Sequence, residues 1–192
     1  MMLYKIGFLF FGLVLFVSCG SNTSEQKQQV VKTDSVAAVP LTDYDKLLNE
    51  AKRLDNILLN ATVVNPNIAD QAITAFSNFE TTCKTDSLAP VFLVKAGQVA
   101  LSIGKFTQAE TFFVKCKDEF PNFKNRGAAL FLLAQLYDDA SKLNDEPKAK
   151  IIYSQIIKEY PESNFAADSK AAIQNLGKTD EQLVQEFLKK NK

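Results

Sequence analysis

Few side chains in this sequence could do chemistry, and their types and spacing narrow what that chemistry is. The 192 residues hold three cysteines, Cys19, Cys83 and Cys116, and no histidine. Without imidazole there is no Ser–His or Cys–His nucleophile pair, and the usual zinc ligand is missing. No two cysteines stand at CxxC spacing, so neither a structural zinc site nor a dithiol redox motif is written into the chain. The acidic pairs Asp118-Glu119 and Asp138-Asp139 are of the right type for acid–base work. No partner base, Gly-rich phosphate loop or metal-ligand cluster accompanies them, so they read as solvated helix faces. Basic and acidic residues balance at 22 each, which argues against a nucleic-acid partner, since that needs clustered cations. The lysines at 189, 190 and 192 fall at the end of a helical pattern, where cations favour the macrodipole. No cofactor and no metal is implied.

Cys19 stands on a seam. Residues 1–5 carry one positive charge, Ile6 to Val17 is a twelve-residue apolar run, and Ser18 is small. This is the layout of a secretory signal, too short to span a bilayer core that needs roughly 20 apolar residues. Leu15-Phe16-Val17-Ser18-Cys19-Gly20 resembles a bacterial lipobox, with Phe16 where an aliphatic residue is usual. The resemblance implies removal of residues 1–18 and lipidation of Cys19, whose acyl chains, at about 0.8 kcal/mol per buried methylene, would anchor the chain irreversibly. With Gly-Ser and no aspartate after the cysteine, the resemblance also implies sorting to the outer membrane, with the domain facing the periplasm. Residues 19–41 are polar and then rich in small residues, a composition that cannot offset the entropy of ordering. They are expected to be a disordered tether of roughly 25 Å end to end.

The remainder, 42–192, must position everything else, and its periodicity is helical throughout. Leu47, Leu48, Ala51, Leu54, Ile57, Leu58 and Ala61 recur at three and four, with Thr42 as an N-cap and Asp43 and Asp45 in the first turn. Nothing alternates as a strand would, and the fold class is all-α. The chain also repeats. Ala109, Phe113, Cys116, Phe120 and Pro121 are matched forty residues on by Ala149, Tyr153, Ile156, Tyr160 and Pro161, and 37 residues earlier by Ala72, Phe76 and Phe79. Leu93, Ala96, Gly97 and Ala100 correspond in the same way to Leu130, Leu133, Ala134 and Tyr137. Small residues at Gly97, Ala134, Ala109 and Ala149 allow paired helices to approach closely, and the aromatic residue a turn later fills the space toward the next pair.

These residues resemble the tetratricopeptide pattern of paired helices, with no tryptophan, Ala100 in place of the usual tyrosine, and longer turns. The Phe-Pro-Asn and Tyr-Pro-Glu-Ser turns are similar to the variant found in envelope lipoproteins of the barrel-assembly and Tol–Pal coordinator type. The resemblance implies a right-handed α-solenoid of about three helix pairs over residues 43–176. A last helix, begun by Thr179 and Gln182, is expected to cap the apolar edge of the final pair.

The resemblance further implies that the first helix of each pair lines a concave, partner-binding surface. Carried onto this chain, that surface is Val91, Val94, Gln98 and Leu101, then Phe131, Gln135 and Asp138. Apolar anchors mixed with amides suit an extended or helical peptide. Phe112, Phe113, Ile152 and Tyr153 are expected in the core, and Cys83 and Cys116 as buried free thiols, because the repeat sets them on the order of 10 Å apart, beyond bridging distance. The expected function is a lipid-anchored scaffold or adaptor for protein partners in envelope biogenesis, not an enzyme. An enzyme with a carboxylate or lysine site in a helical groove, or a self-associating structural spacer, are the alternatives.

Overall fold

A computed structural model describes residues 42–190; the expected signal segment, Cys19 and the tether at 19–41 lie outside the described residues. Among the described residues there are eight α-helices and no strand. They are α1 (Asp43–Leu59), α2 (Pro66–Thr82), α3 (Ala89–Ser102), α4 (Phe106–Glu119), α5 (Arg126–Asp138), α6 (Glu146–Glu159), α7 (Asn164–Asn175) and α8 (Asp180–Lys190). From α1 to α7 each helix packs on the next, and α5 also touches α7. This is an α-solenoid of helix pairs followed by a C-terminal helix.

Local chemistry sets the helix starts. Thr42 accepts the Asp45 N–H at 3.1 Å while the Asp45 carboxylate accepts the Thr42 N–H at 3.1 Å, a reciprocal capping box. Asn65 caps α2 ahead of Pro66, whose missing N–H costs nothing at the first helical position. Asp145 and Ser163 cap α6 and α7. Side-chain caps are lacking at α3, α4 and α5, and at α3 and α5 the preceding turn starts the helix. The carbonyls of Cys83, Phe120 and Tyr160 accept the N–H groups of Asp86, Phe123 and Ser163 at 2.9, 3.1 and 3.0 Å. Those three residues' own carbonyls accept from Ala89, Arg126 and Ala166 at 3.0, 2.9 and 3.0 Å. Three turns of different sequence thus share one hydrogen-bond pattern, which is structural proof of the repeat.

The core follows the same register. Ala72, Ala109 and Ala149 are fully buried, as are Phe79, Cys116 and Ile156; Phe76, Phe113 and Tyr153 expose at most 1%. Leu93 and Leu130 oppose them from the first helices of two pairs, and Gly97 lies directly beneath the Phe113 ring. Phe112 and Ile152 are buried too, as expected for core positions. Between neighbouring pairs, ion pairs recur at a spacing of 35 residues: Asp70–Lys105 at 2.5 Å, Glu80–Lys115 at 2.5 Å and Lys84–Glu119 at 3.3 Å. Lys95 of α3 reaches Asp55 of α1 at 2.7 Å. The exposed pairs contribute little, but Glu80 is 1% exposed, and its charge would be costly without Lys115.

At the C-terminal end α7, whose Ala166 and Ser169 are buried, packs on α6 and α5 ahead of the final helix α8. α7 repeats the start of α3 and α5, placing Ala166 where Ala89 and Arg126 stand, so it docks as a first helix before α8 begins. In α8, Val184 and Leu188 stand 55% and 50% exposed.

Candidate functional site

Seven residues on α3 and α5 are the sequence-predicted partner surface, and the structure divides them. Phe131, Gln135 and Asp138 recur at four and three along α5 and together line a cleft of about 520 Å³. Its other walls are Asp139 and Lys142 from the loop after α5, Tyr153 of α6, Ala172 and Asn175 of α7, Lys178 from the loop before α8, and Leu183 in the first turn of α8. Val91, Val94, Gln98 and Leu101 lie on α3, outside this lining. Gln98 is exposed, while Val94 and Leu101 are half-buried against the hydrophobic core. Their correspondence is exact in register all the same: Val94, Gln98 and Leu101 stand 37 residues before Phe131, Gln135 and Asp138.

The same periodicity explains residues that inspection of the sequence missed. Forty residues beyond Gln135 and Asp138 lie Asn175 and Lys178. Gln98, Gln135 and Asn175 therefore form a column of exposed amides along successive first helices, and the repeat offset was the signal that could have found Asn175. Nothing in the sequence pointed to Lys142, Leu183 or the Tyr153 hydroxyl. Those reach the cleft through a loop, a terminal helix and a second helix.

Aromatic and polar contacts hold the cleft open and in shape. The Phe131 ring lies 5.9 Å from Tyr153 and 5.5 Å from Phe165, both tilted, so its orientation is set by packing from α6 and α7. The Tyr153 hydroxyl donates to Asp138 Oδ2 at 3.1 Å. Burial, and then the Asp138 charge, push the phenol pKa up, so it remains a neutral donor. Asp139 accepts from Lys142 Nζ at 2.6 Å and from the Ser141 hydroxyl and N–H at 2.6 and 2.8 Å. These bonds, that of Lys142 first, hold its pKa down at about 2. Lys178 pairs with Glu186 at 2.7 Å. The loop carrying Lys142 is itself tied back: Leu143 and Asp145 donate their N–H groups to the Leu136 and Tyr137 carbonyls at 3.2 and 2.7 Å. Between them Asn144 takes φ 49°, a left-handed conformation that asparagine tolerates.

Behind the cleft two polar clusters brace α5. Arg126, 8% exposed at its first turn, donates to the Lys117 carbonyl at 3.1 Å, to the Tyr160 hydroxyl at 3.2 Å and to the Glu159 carboxylate, joining α4, α5 and α6. At the other end the Tyr137 hydroxyl donates to Glu110 at 2.6 Å, and the Lys148 ammonium sits 5.0 Å from the Tyr137 ring centroid.

The paired helices α5 and α6 decide the family comparison. Residues 128–163 match the family model of the tetratricopeptide repeat. The chain contains a tetratricopeptide repeat. Six of the cleft's lining residues, from Phe131 to Tyr153, fall inside that repeat, and its span closes on the Tyr160–Ser163 turn described above. The spacings of 37 and 40 residues exceed the 34 of the standard tetratricopeptide repeat. The excess lies in the loops, chiefly between Asp138 and Glu146. No curated protein gave a significant match to the chain.

Elsewhere, a second cleft of about 440 Å³ lies between the turns at 84–87 and 119–124, with Pro90, Phe120, Pro121 and Phe123 in its walls. Both thiols are free: Cys116 is fully buried, as expected, whereas Cys83 is only half-buried because it ends α2 instead of continuing it. Among the described residues no group of three acidic, cysteine or histidine side chains could hold a metal ion. None of the described helices is long and apolar enough to cross a membrane.

Proposed function

We propose that the protein is a scaffold or adaptor whose tetratricopeptide-like solenoid binds protein partners through the cleft of α5, α7 and the start of α8. One observation carries this reading. Gln135 and Asn175, at equivalent repeat positions on successive first helices, both bring exposed amides to the cleft, and Gln98 holds the same repeat position on α3. An amide both donates and accepts, so such a column can bond the backbone of an extended segment whatever its side chains. Half-buried Phe131 and Leu183 supply apolar anchors beside it.

The lipobox resemblance at Cys19 supports an anchored form of this adaptor. In this proposal the mature chain begins at lipidated Cys19, sits in the outer membrane, and faces the periplasm. Tethering then raises the local concentration of the binding face near the membrane without catalysis. The likeness of its turns to those of envelope lipoproteins favours partners engaged in envelope biogenesis.

Two experiments test the reading. A photo-crosslinking amino acid placed at Gln135 in the full chain in cells should trap a discrete partner. The same probe at Ile151, 65% exposed on α6, should not. Equal or absent labelling at both positions would remove the cleft from consideration. Cys19→Ala, or inhibition of the lipoprotein signal peptidase by globomycin, should leave an uncleaved or soluble form, and an unchanged membrane-bound mature protein would end the anchor proposal.

A further inference from the structure

The charges around the cleft do not cancel one by one, and this carries the reading of it as a partner site one step further. Lys142 is engaged by Asp139 at 2.6 Å and Lys178 by Glu186 at 2.7 Å, so both cations of the lining already face their own carboxylates. Asp138 is different. Its hydrogen bond comes from the neutral Tyr153 hydroxyl, and no ion pair among the described residues includes it. A half-buried carboxylate without a countercharge is the one unbalanced charge in the lining. It lies one helical turn from Gln135 and two from Phe131, on the same face of α5.

We propose that the cleft receives a basic peptide segment, with one arginine or lysine side chain placed between the Asp138 carboxylate and the Phe131 ring. The proposal rests on the reading of the cleft as the partner site. A guanidinium donating to Asp138 would make a charge-assisted bond in a partly dry setting. Its stem would lie against Phe131, Ala172 and Leu183, as long cationic side chains do on apolar surface. Phe131 adds a ring face for the cation. Gln135 and Asn175 then hold the peptide backbone on either side. An acidic segment would instead meet two carboxylates, Asp138 and Asp139, and two lysines that already have partners.

The test uses the full chain in mild detergent as bait for phage-displayed random dodecapeptides, with the Asp138→Asn chain panned in parallel. Asparagine keeps an oxygen for the Tyr153 hydroxyl, so the fold should persist, which circular dichroism and the melting temperature would show. Peptides enriched on the parent should carry arginine or lysine beside apolar residues. A synthetic peptide of that consensus should bind Asp138→Asn at least about tenfold more weakly. Its affinity should fall as salt rises, and Phe131→Leu should weaken it several-fold. Enrichment of acidic or uncharged peptides whose binding is lost in Phe131→Leu would overturn the basic-partner proposal and leave the cleft as a partner site. Basic peptides that bind Asp138→Asn equally well would overturn it too. If no peptide is enriched on either chain, both the proposal and the cleft reading fall.

Discussion

Gly97 offers the sharpest trial of the repeat packing, because two general expectations for it point in opposite directions. Glycine in the middle of a helix costs about 1 kcal/mol against alanine, so Gly97→Ala within α3 would ordinarily stabilise. Here an added Cβ would stand 2.5, 2.8 and 3.0 Å from Cε1, Cζ and Cδ1 of Phe113. That ring is fully buried. To reach ordinary contact it must retreat by about an ångström into a core as dense as an organic crystal. Overpacking of this kind costs about 1–3 kcal/mol, more than the propensity gain. We expect Gly97→Ala to lose about 1–2 kcal/mol net, lowering the thermal midpoint by about 2–8 °C for a chain of this size. Urea and thermal melts followed by circular dichroism would measure it. A double-mutant cycle isolates the cause: Phe113→Leu alone should also destabilise, but the pair Gly97→Ala/Phe113→Leu should be more stable than additivity allows by about 1 kcal/mol. Ala134, the equivalent residue one repeat later, already has its Cβ, so Ala134→Gly should lose about 1 kcal/mol. If Gly97→Ala melts at or above the parent, or the cycle is additive, the close approach of α3 and α4 does not limit this core.

Other outcomes follow from single observations. Arg126→Ala strips the Lys117 carbonyl, Glu159 and the Tyr160 hydroxyl of their shared donor and should cost about 2–4 kcal/mol in a urea melt, with Arg126→Met losing less because it keeps the packing. Ser169 is fully buried and its hydroxyl has no hydrogen-bond partner among the described residues, so Ser169→Ala should be neutral or stabilise by up to about 1 kcal/mol in the same assay. Burial raises the Cys116 thiol from 9.0 to about 11, against a smaller opposing pull from Arg126. The unfolded chain therefore gives up this proton first. The thiol's contribution is complete below pH 9 and is lost as pH rises through 11. Parent stability should fall more steeply than that of Cys116→Ala over that window, by at most about 3 kcal/mol. At pH 8 iodoacetamide should alkylate half-buried Cys83 well before Cys116.

The helical class, the small-residue and aromatic columns, and the pairing of helices were legible in the chain before any coordinates. They depend on periodicities of three, four and about forty, which are one-dimensional properties. Burying Ala109 and Phe113 on one face needs no knowledge of what lies opposite. Phe131, Gln135 and Asp138 could be placed on a common face for the same reason. Which residues meet them could not. Lys142 arrives from a loop held by Asn144 in a left-handed conformation, Tyr153 from a helix whose pattern marks it as core, and Leu183 from a helix expected to cap the last pair. Ahead of that final helix, α7 takes the first-helix register and packs on α6 and α5. Periodicity along the chain tells each residue which way to face. Pairing of charges, such as the imbalance left at Asp138, depends on distances between segments that only tertiary packing sets.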